Sequence, residues 1–230
     1  MPTSMRRTAA VFTLPLALAV LATPAGAAAH SALAPARPAG LPTPITAANA
    51  KTALDALLVA EPRPMTGYSR AKFPHWSGQG EACDSREVVL ERDGQDVQRD
   101  DQCRATAGSW YSEYDGRTLT AASQVDIDHI VPLANAWRSG ADTWTTAMRK
   151  AFANDLQNPQ LIAVSAASNR SKGDQNPAQW KPTLRSYWCT YSRAWVDIKQ
   201  RYALAVTAPE KTALTEMLET CPADGARRGR

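Results

Sequence analysis

VDIDHIVPL, residues 125–133, is an apolar, β-branched run that ends on a carboxylate beside an imidazole, and NRSKGD, residues 169–174, answers it further along the chain. Val125, Ile127 and the acids between them alternate with the period of a strand, and Pro132 stops it. Neighbouring residues on a strand point to opposite faces, so Asp128 and His129 serve different sides of it. A hard cation takes oxygen ligands, which Asp128 and Asn169 can supply. Hydrolysis at neutral pH needs a base, which His129 can be. The combination implies metal-assisted hydrolysis of a phosphodiester.

Around this core the pattern predicts a strand over 125–131, a helix from Pro132 to Trp137 and another over 143–154. Next come a short strand over 161–164 and a helix over 165–172 capped by Ser165. Upstream, Thr46 caps a helix over 47–60, and EVVLER, residues 87–92, reads as one strand of a hairpin turning at Asp93-Gly94. Downstream, residues 184–202 place Trp188, Tyr191, Trp195, Ile198 and Tyr202 on one helical face, and Thr207 with Glu210 forms a capping box for a last helix. The fold class is α+β.

The 230-residue chain has 44% hydrophobic residues and seven Trp, enough for one domain with its own core. Residues 1–29 read as a secretory signal: Arg6-Arg7, an apolar run over 9–22 and small residues for cleavage. Residues 30–45 are an Ala- and Pro-rich leader, 46–224 the domain and 225–230 a basic tail. No further stretch is apolar enough to span a bilayer. The expected protein is secreted, with no membrane association after signal cleavage.

Cys83, Cys103, Cys189 and Cys221 form no C-x-x-C pair, which argues against structural zinc and for two disulfides. Of the three pairings, Cys83–Cys103 with Cys189–Cys221 is favoured because each closes one local unit. The formal charge of +4 falls to about +2 once Arg6 and Arg7 are removed, which permits a polyanionic partner without requiring one.

The Asp-His pair, a middle Asn and a closing Asn-x-x-Lys resemble the HNH nucleases with their ββα-metal finger. More narrowly, residues 68–221 resemble exported bacterial proteins related to the C-terminal domain of GmrSD restriction endonucleases. CDSRE (83–87), DIDH (126–129), FANDL (152–156) and NRSKGD carry that resemblance. It implies Asp128 and Asn169 as metal ligands, His129 as general base and Asn158 as the residue bracing the loop, with Asn154 as its rival. Asp126 competes with Asp128 as ligand or stands behind it. The closing position is Asn where the family has His, so the site leans to Mg²⁺ or Mn²⁺ over Zn²⁺.

Lys172 reads as a phosphate contact or as part of a solvated face. Arg86, held by the Cys83 linkage, is the first candidate for binding phosphate, with Arg70 and Arg170 next. Trp76 reads as a core residue or as a platform for a base. The implied activity is an endonuclease acting on DNA, or on RNA, with little sequence specificity. A monomer is expected, and nothing indicates an immunity protein.

Overall fold

The computed structural model describes residues 1–3 and 40–222. The chain divides into two units, Met1–Ala36 and Arg37–Arg230, and the second holds all the helices and strands of the described residues. All but residues 1–3 of the expected signal, most of the leader and the tail lie outside the described residues. The described part is a mixed α/β structure carrying both favoured disulfides, Cys83–Cys103 and Cys189–Cys221.

Helix α1 (Ala47–Ala56) begins where Thr46 Oγ1 accepts from Asn49 N–H. It stops short of residue 60 because the next residues extend and bridge to Val206, with Ala60 N–H donating to Val206 O. A small antiparallel pair, β1 (Gly78–Gly80) with β2 (Cys83–Asp84), leads into helix α2 (Ser85–Asp93).

The expected strand over 87–92 is thus a helix. Asp84 accepts from the backbone N–H of Arg86 and Glu87, and the Glu87 carboxylate returns to the backbone of Asp84, a complete capping box. Val89 and Leu90 are then adjacent on the buried side.

Asp93-Gly94 is not a hairpin turn either, since Gly94 opens strand β3 (Gly94–Arg99). A Cβ at Gly94 would stand 2.6 Å from Trp110 Nε1, which donates to Leu90 O. The hairpin proper is β3 with β4 (Ala105–Ser112), extended by β5 (Arg117–Leu119) into an antiparallel sheet.

VDIDH forms strand β6 (Val125–His129), paired antiparallel with β7 (Leu161–Ser165), Val125 opposite Ser165 and His129 opposite Leu161. Between them lie helices α3 (Leu133–Arg138) and α4 (Thr146–Ala153). After β7 comes helix α5 (Ala166–Lys172), capped by Ser165 as expected. Helix α6 (Trp188–Arg201) and helix α7 (Ala208–Leu218), with its Thr207–Glu210 capping box, complete the fold.

Strand alternation divides the β6–β7 pair between two cores. Val125, Ile127, Leu161 and Ala163 pack with Val89, Leu90 and Trp110. Ile162 and Val164 face the larger core of α1, α3, α6 and α7, where Tyr191, Trp195 and Leu214 are fully buried. Residues 126 and 128 share the second face, and His129 belongs to the first.

Candidate active site

Helix α5 runs back across β6, and its residues 169 and 172, one turn apart, share a face. The strand's residues 126 and 128 share a face in the same way. The pairing is therefore one to one: Asn169 Nδ2 donates to Asp126 Oδ2 at 3.1 Å, and Lys172 Nζ donates to Asp128 Oδ1 at 3.0 Å. The resemblance implies Asn169 beside Asp128. In the structure Asn169 meets Asp126, because the helix axis brings Lys172 deeper than Asn169.

Lys172 is neither a solvated cation nor an exposed phosphate contact. Its side chain is 0% exposed, and it also donates to His129 O. Asp128 accepts in addition from the Tyr114 hydroxyl at 2.5 Å. Burial pushes the Asp128 carboxyl up and the Lys172 ammonium down from their ordinary ranges, and each one's charge opposes the other's shift. Sequence reasoning missed Tyr114. It lies in a β4–β5 turn with no motif, and only the rule that a buried hydroxyl finds a partner could have flagged it.

On the other face, His129 Nε2–H donates to Ala153 O at 2.9 Å, which leaves Nδ1 as the ring's basic nitrogen. Burial brings its pKa down to about 3, with Arg70, His75 and Lys172 adding to the shift, so the imidazole is neutral at physiological pH. Trp76 stacks on it at 5.5 Å between ring centroids and 13° between planes. Trp76 also packs against the smaller core, so it is both core residue and wall of the site.

Asn158, the expected brace, is bonded within its own loop. Asn158 Nδ2 donates to Asp155 and does not touch His129. Asn154 instead donates to Pro74 O and Lys150 O and accepts from Ser77 N–H and Ser85 Oγ–H, tying the end of α4 to the segment carrying Trp76. The loop after His129 is held by Gln160, whose amide pairs in both directions with the backbone of Val131. A Gln between Pro159 and an apolar strand was the available signal for this role.

Arg86, the first candidate for binding phosphate, lies against the start of β6. Its Nη2 donates to the carbonyls of Ala122 and Val125, so it straps the entry of β6.

Among the described residues no three His, Cys, Asp or Glu side chains gather into a metal-holding group. The donor chemistry nevertheless fits a hard ion with few protein ligands. Asp126 and Asn169 are half-buried, and each keeps one oxygen outside their mutual bond. Asp128 retains little free lone-pair capacity beside Lys172 and Tyr114. Two oxygen donors with water in the remaining positions suit Mg²⁺ or Mn²⁺ and not tetrahedral Zn²⁺.

Among the described residues no helix is long and apolar enough to cross a membrane. No solved structure matches the chain. A protein of Arthroderma benhamiae described as an uncharacterized secreted protein is 59% identical over 189 residues, covering 81% of this chain and 93% of the relative. With the two disulfides, this relative marks the protein as secreted. The family model for the C-terminal domain of GmrSD restriction endonucleases matches residues 85–217, which include α2, both strands of the site and α5; the chain belongs to that family.

Proposed function

We propose that the protein is a secreted, metal-dependent endonuclease that hydrolyses nucleic-acid phosphodiesters, DNA foremost, with little sequence specificity. The observation that carries this reading is the neutral, oriented His129 at the end of a strand whose other face sets Asp126 and Asp128 against Asn169 and Lys172 of α5. Strands β6 and β7 with helix α5 then serve as the ββα-metal finger of the HNH nucleases. Export removes residues 1–29, and residues 46–224 act as a single domain, as a monomer.

Asp126 and Asn169 would hold the ion through their outward oxygens, with Asp128 behind them. A divalent ion there would stabilise negative charge on the phosphate and on the departing oxygen. His129 takes the proton of the attacking water at Nδ1, and the Ala153 carbonyl keeps the ring in that tautomer. Lys172 fixes the Asp128 carboxylate and, through His129 O, the backbone that carries the base. Trp76 shields one face of the ring and restricts how water reaches it. Asn154 holds the Trp76 segment, and Arg86 holds the entry of β6.

Supercoiled plasmid incubated with the secreted, oxidised protein in Mg²⁺, in Mn²⁺ and in EDTA tests the nuclease assignment. Nicking that requires metal and disappears in His129→Ala is expected. Folded protein that binds DNA without nicking it in any metal would replace this assignment with that of a binding protein.

A further inference from the structure

The family match begins at residue 85, yet the wall of the site nearest His129 comes from residues 70–76. Two side chains of this segment, Arg70 and His75, form with the Phe73 carbonyl a chain of fixed contacts that leads to His129. His75 Nδ1–H donates to Phe73 O at 2.6 Å, which leaves Nε2 as an acceptor. Arg70 Nε–H donates to that nitrogen at 3.1 Å. The His75 ring stands edge-on to the His129 ring, 6.4 Å between centroids. Phe73, which anchors the relay, is fully buried.

The consequence falls on Arg70. Its Nε is spent on His75, so the guanidinium plane is aimed, and among the described residues its two terminal nitrogens have no hydrogen-bond partner. The side chain is exposed and joins no ion pair among the described residues. Its charge reaches His129, where it disfavours the imidazolium. Arg70 therefore stands on the His129 side of the site, one imidazole away from the base. An oriented guanidinium with two free N–H groups matches two oxygens of a phosphodiester.

We propose that Arg70 is a phosphate-binding residue of this site, gripping non-bridging oxygens of the nucleic-acid phosphate served by His129, and that His75 is the positioning residue that aims it. The inference rests on the nuclease reading. It assigns part of the site to a segment that precedes the matched family domain.

Two measurements test it on the secreted, oxidised protein. One is binding of a short DNA duplex in EDTA as a function of salt. The other is plasmid nicking in Mg²⁺ with kcat and KM separated. Arg70→Gln is expected to lower the salt dependence of binding by about one phosphate contact. It should also reduce kcat/KM on the order of tenfold to a hundredfold, the scale of one charge-assisted hydrogen bond. Arg70→Lys should keep the salt dependence and still lose rate, because an ammonium lacks the fork. His75→Ala should keep the salt dependence and lower kcat more than it raises KM, which a merely structural loss would not do. Wild-type rate and salt slope in Arg70→Gln, with nicking intact in the parent protein, would overturn this inference alone. A parent protein that neither binds nor nicks DNA would overturn it together with the nuclease reading.

Discussion

Two lysines among the described residues are completely buried, and they differ in where their networks end. Lys199, on α6, donates to Asn135 Oδ1, Ser139 Oγ, Ala205 O and, at 3.2 Å, to Glu210, which also accepts from Trp195 Nε1. Every member of that network lies in the helical half, so it joins α3, α6 and α7. Lys172 also holds a buried carboxylate, but it donates as well to the backbone of the base His129, and the half-buried Asp126–Asn169 pair stands next to it along β6 and α5. The chemistry of the two pairs is alike. A closed network fixes packing, whereas one that ends at a partly exposed edge places groups for an incoming ligand.

The largest expected effect separates the base from both lysines. His129→Ala should cut metal-dependent nicking by about two to four orders of magnitude, the range for loss of a general base. The protein should still fold, since the ring bonds a single backbone carbonyl and otherwise packs on Trp76 and His75. Residual nicking near the wild-type rate would exclude His129 as the base.

The two lysines test the comparison directly. Lys199→Ala strands Glu210 in the core and should cost about 3–5 kcal/mol in urea unfolding, with nicking per folded molecule unchanged. Lys172→Ala likewise leaves a buried carboxylate with one neutral donor, Tyr114 for Asp128 as Trp195 for Glu210, and should cost a similar amount, but it should also depress nicking strongly. Equal stability losses with equal activities would erase the distinction between a closed and an open network.

Acid sharpens the contrast from another side. The folded His129 has a pKa of about 3 and the unfolded one about 6.5, so between those values the unfolded chain carries the extra proton. The stability contributed by the neutral imidazole is complete above about pH 6.5 and is lost as the pH falls toward 3, at up to about 1.4 kcal/mol per pH unit. Urea midpoints measured from pH 7 to pH 5 should fall for the wild type and fall less for His129→Gln. Parallel curves would mean that the ring is not buried neutral.

Much of this organisation was legible because it is local. Alternation fixed β6, Ser165 and Thr207 announced their helices, and the Asn-x-x-Lys spacing put residues 169 and 172 on one face. What escaped was set by tertiary context. The helix at EVVLER is the exception, because the Asp84–Glu87 capping box that starts it is a local signal that the strand-like composition concealed. The partner of Asn169 depended on how α5 crosses β6, which no spacing within either element encodes. Tyr114 reaches Asp128 from a different sheet.

The smallest expected effect decides between two asparagines, Asn158, which the motif put first, and Asn154, its rival. Asn154 makes four hydrogen bonds that join α4, α2 and the segment bearing Trp76, whereas the side chain of Asn158 makes one, to Asp155. At about 1 kcal/mol for each net bond, with partial relaxation, Asn154→Ala should cost about 2–3 kcal/mol and Asn158→Ala about 1 or less. Activity separates them further. Loss of Asn154 frees Trp76 from its place over His129 and should lower kcat even where the protein remains folded, while Asn158→Ala should leave kcat near wild type. A large kcat loss in Asn158→Ala alone would return the bracing role to the residue that the motif first suggested, and would mean that Asp155 orients the base through a contact formed only with substrate bound.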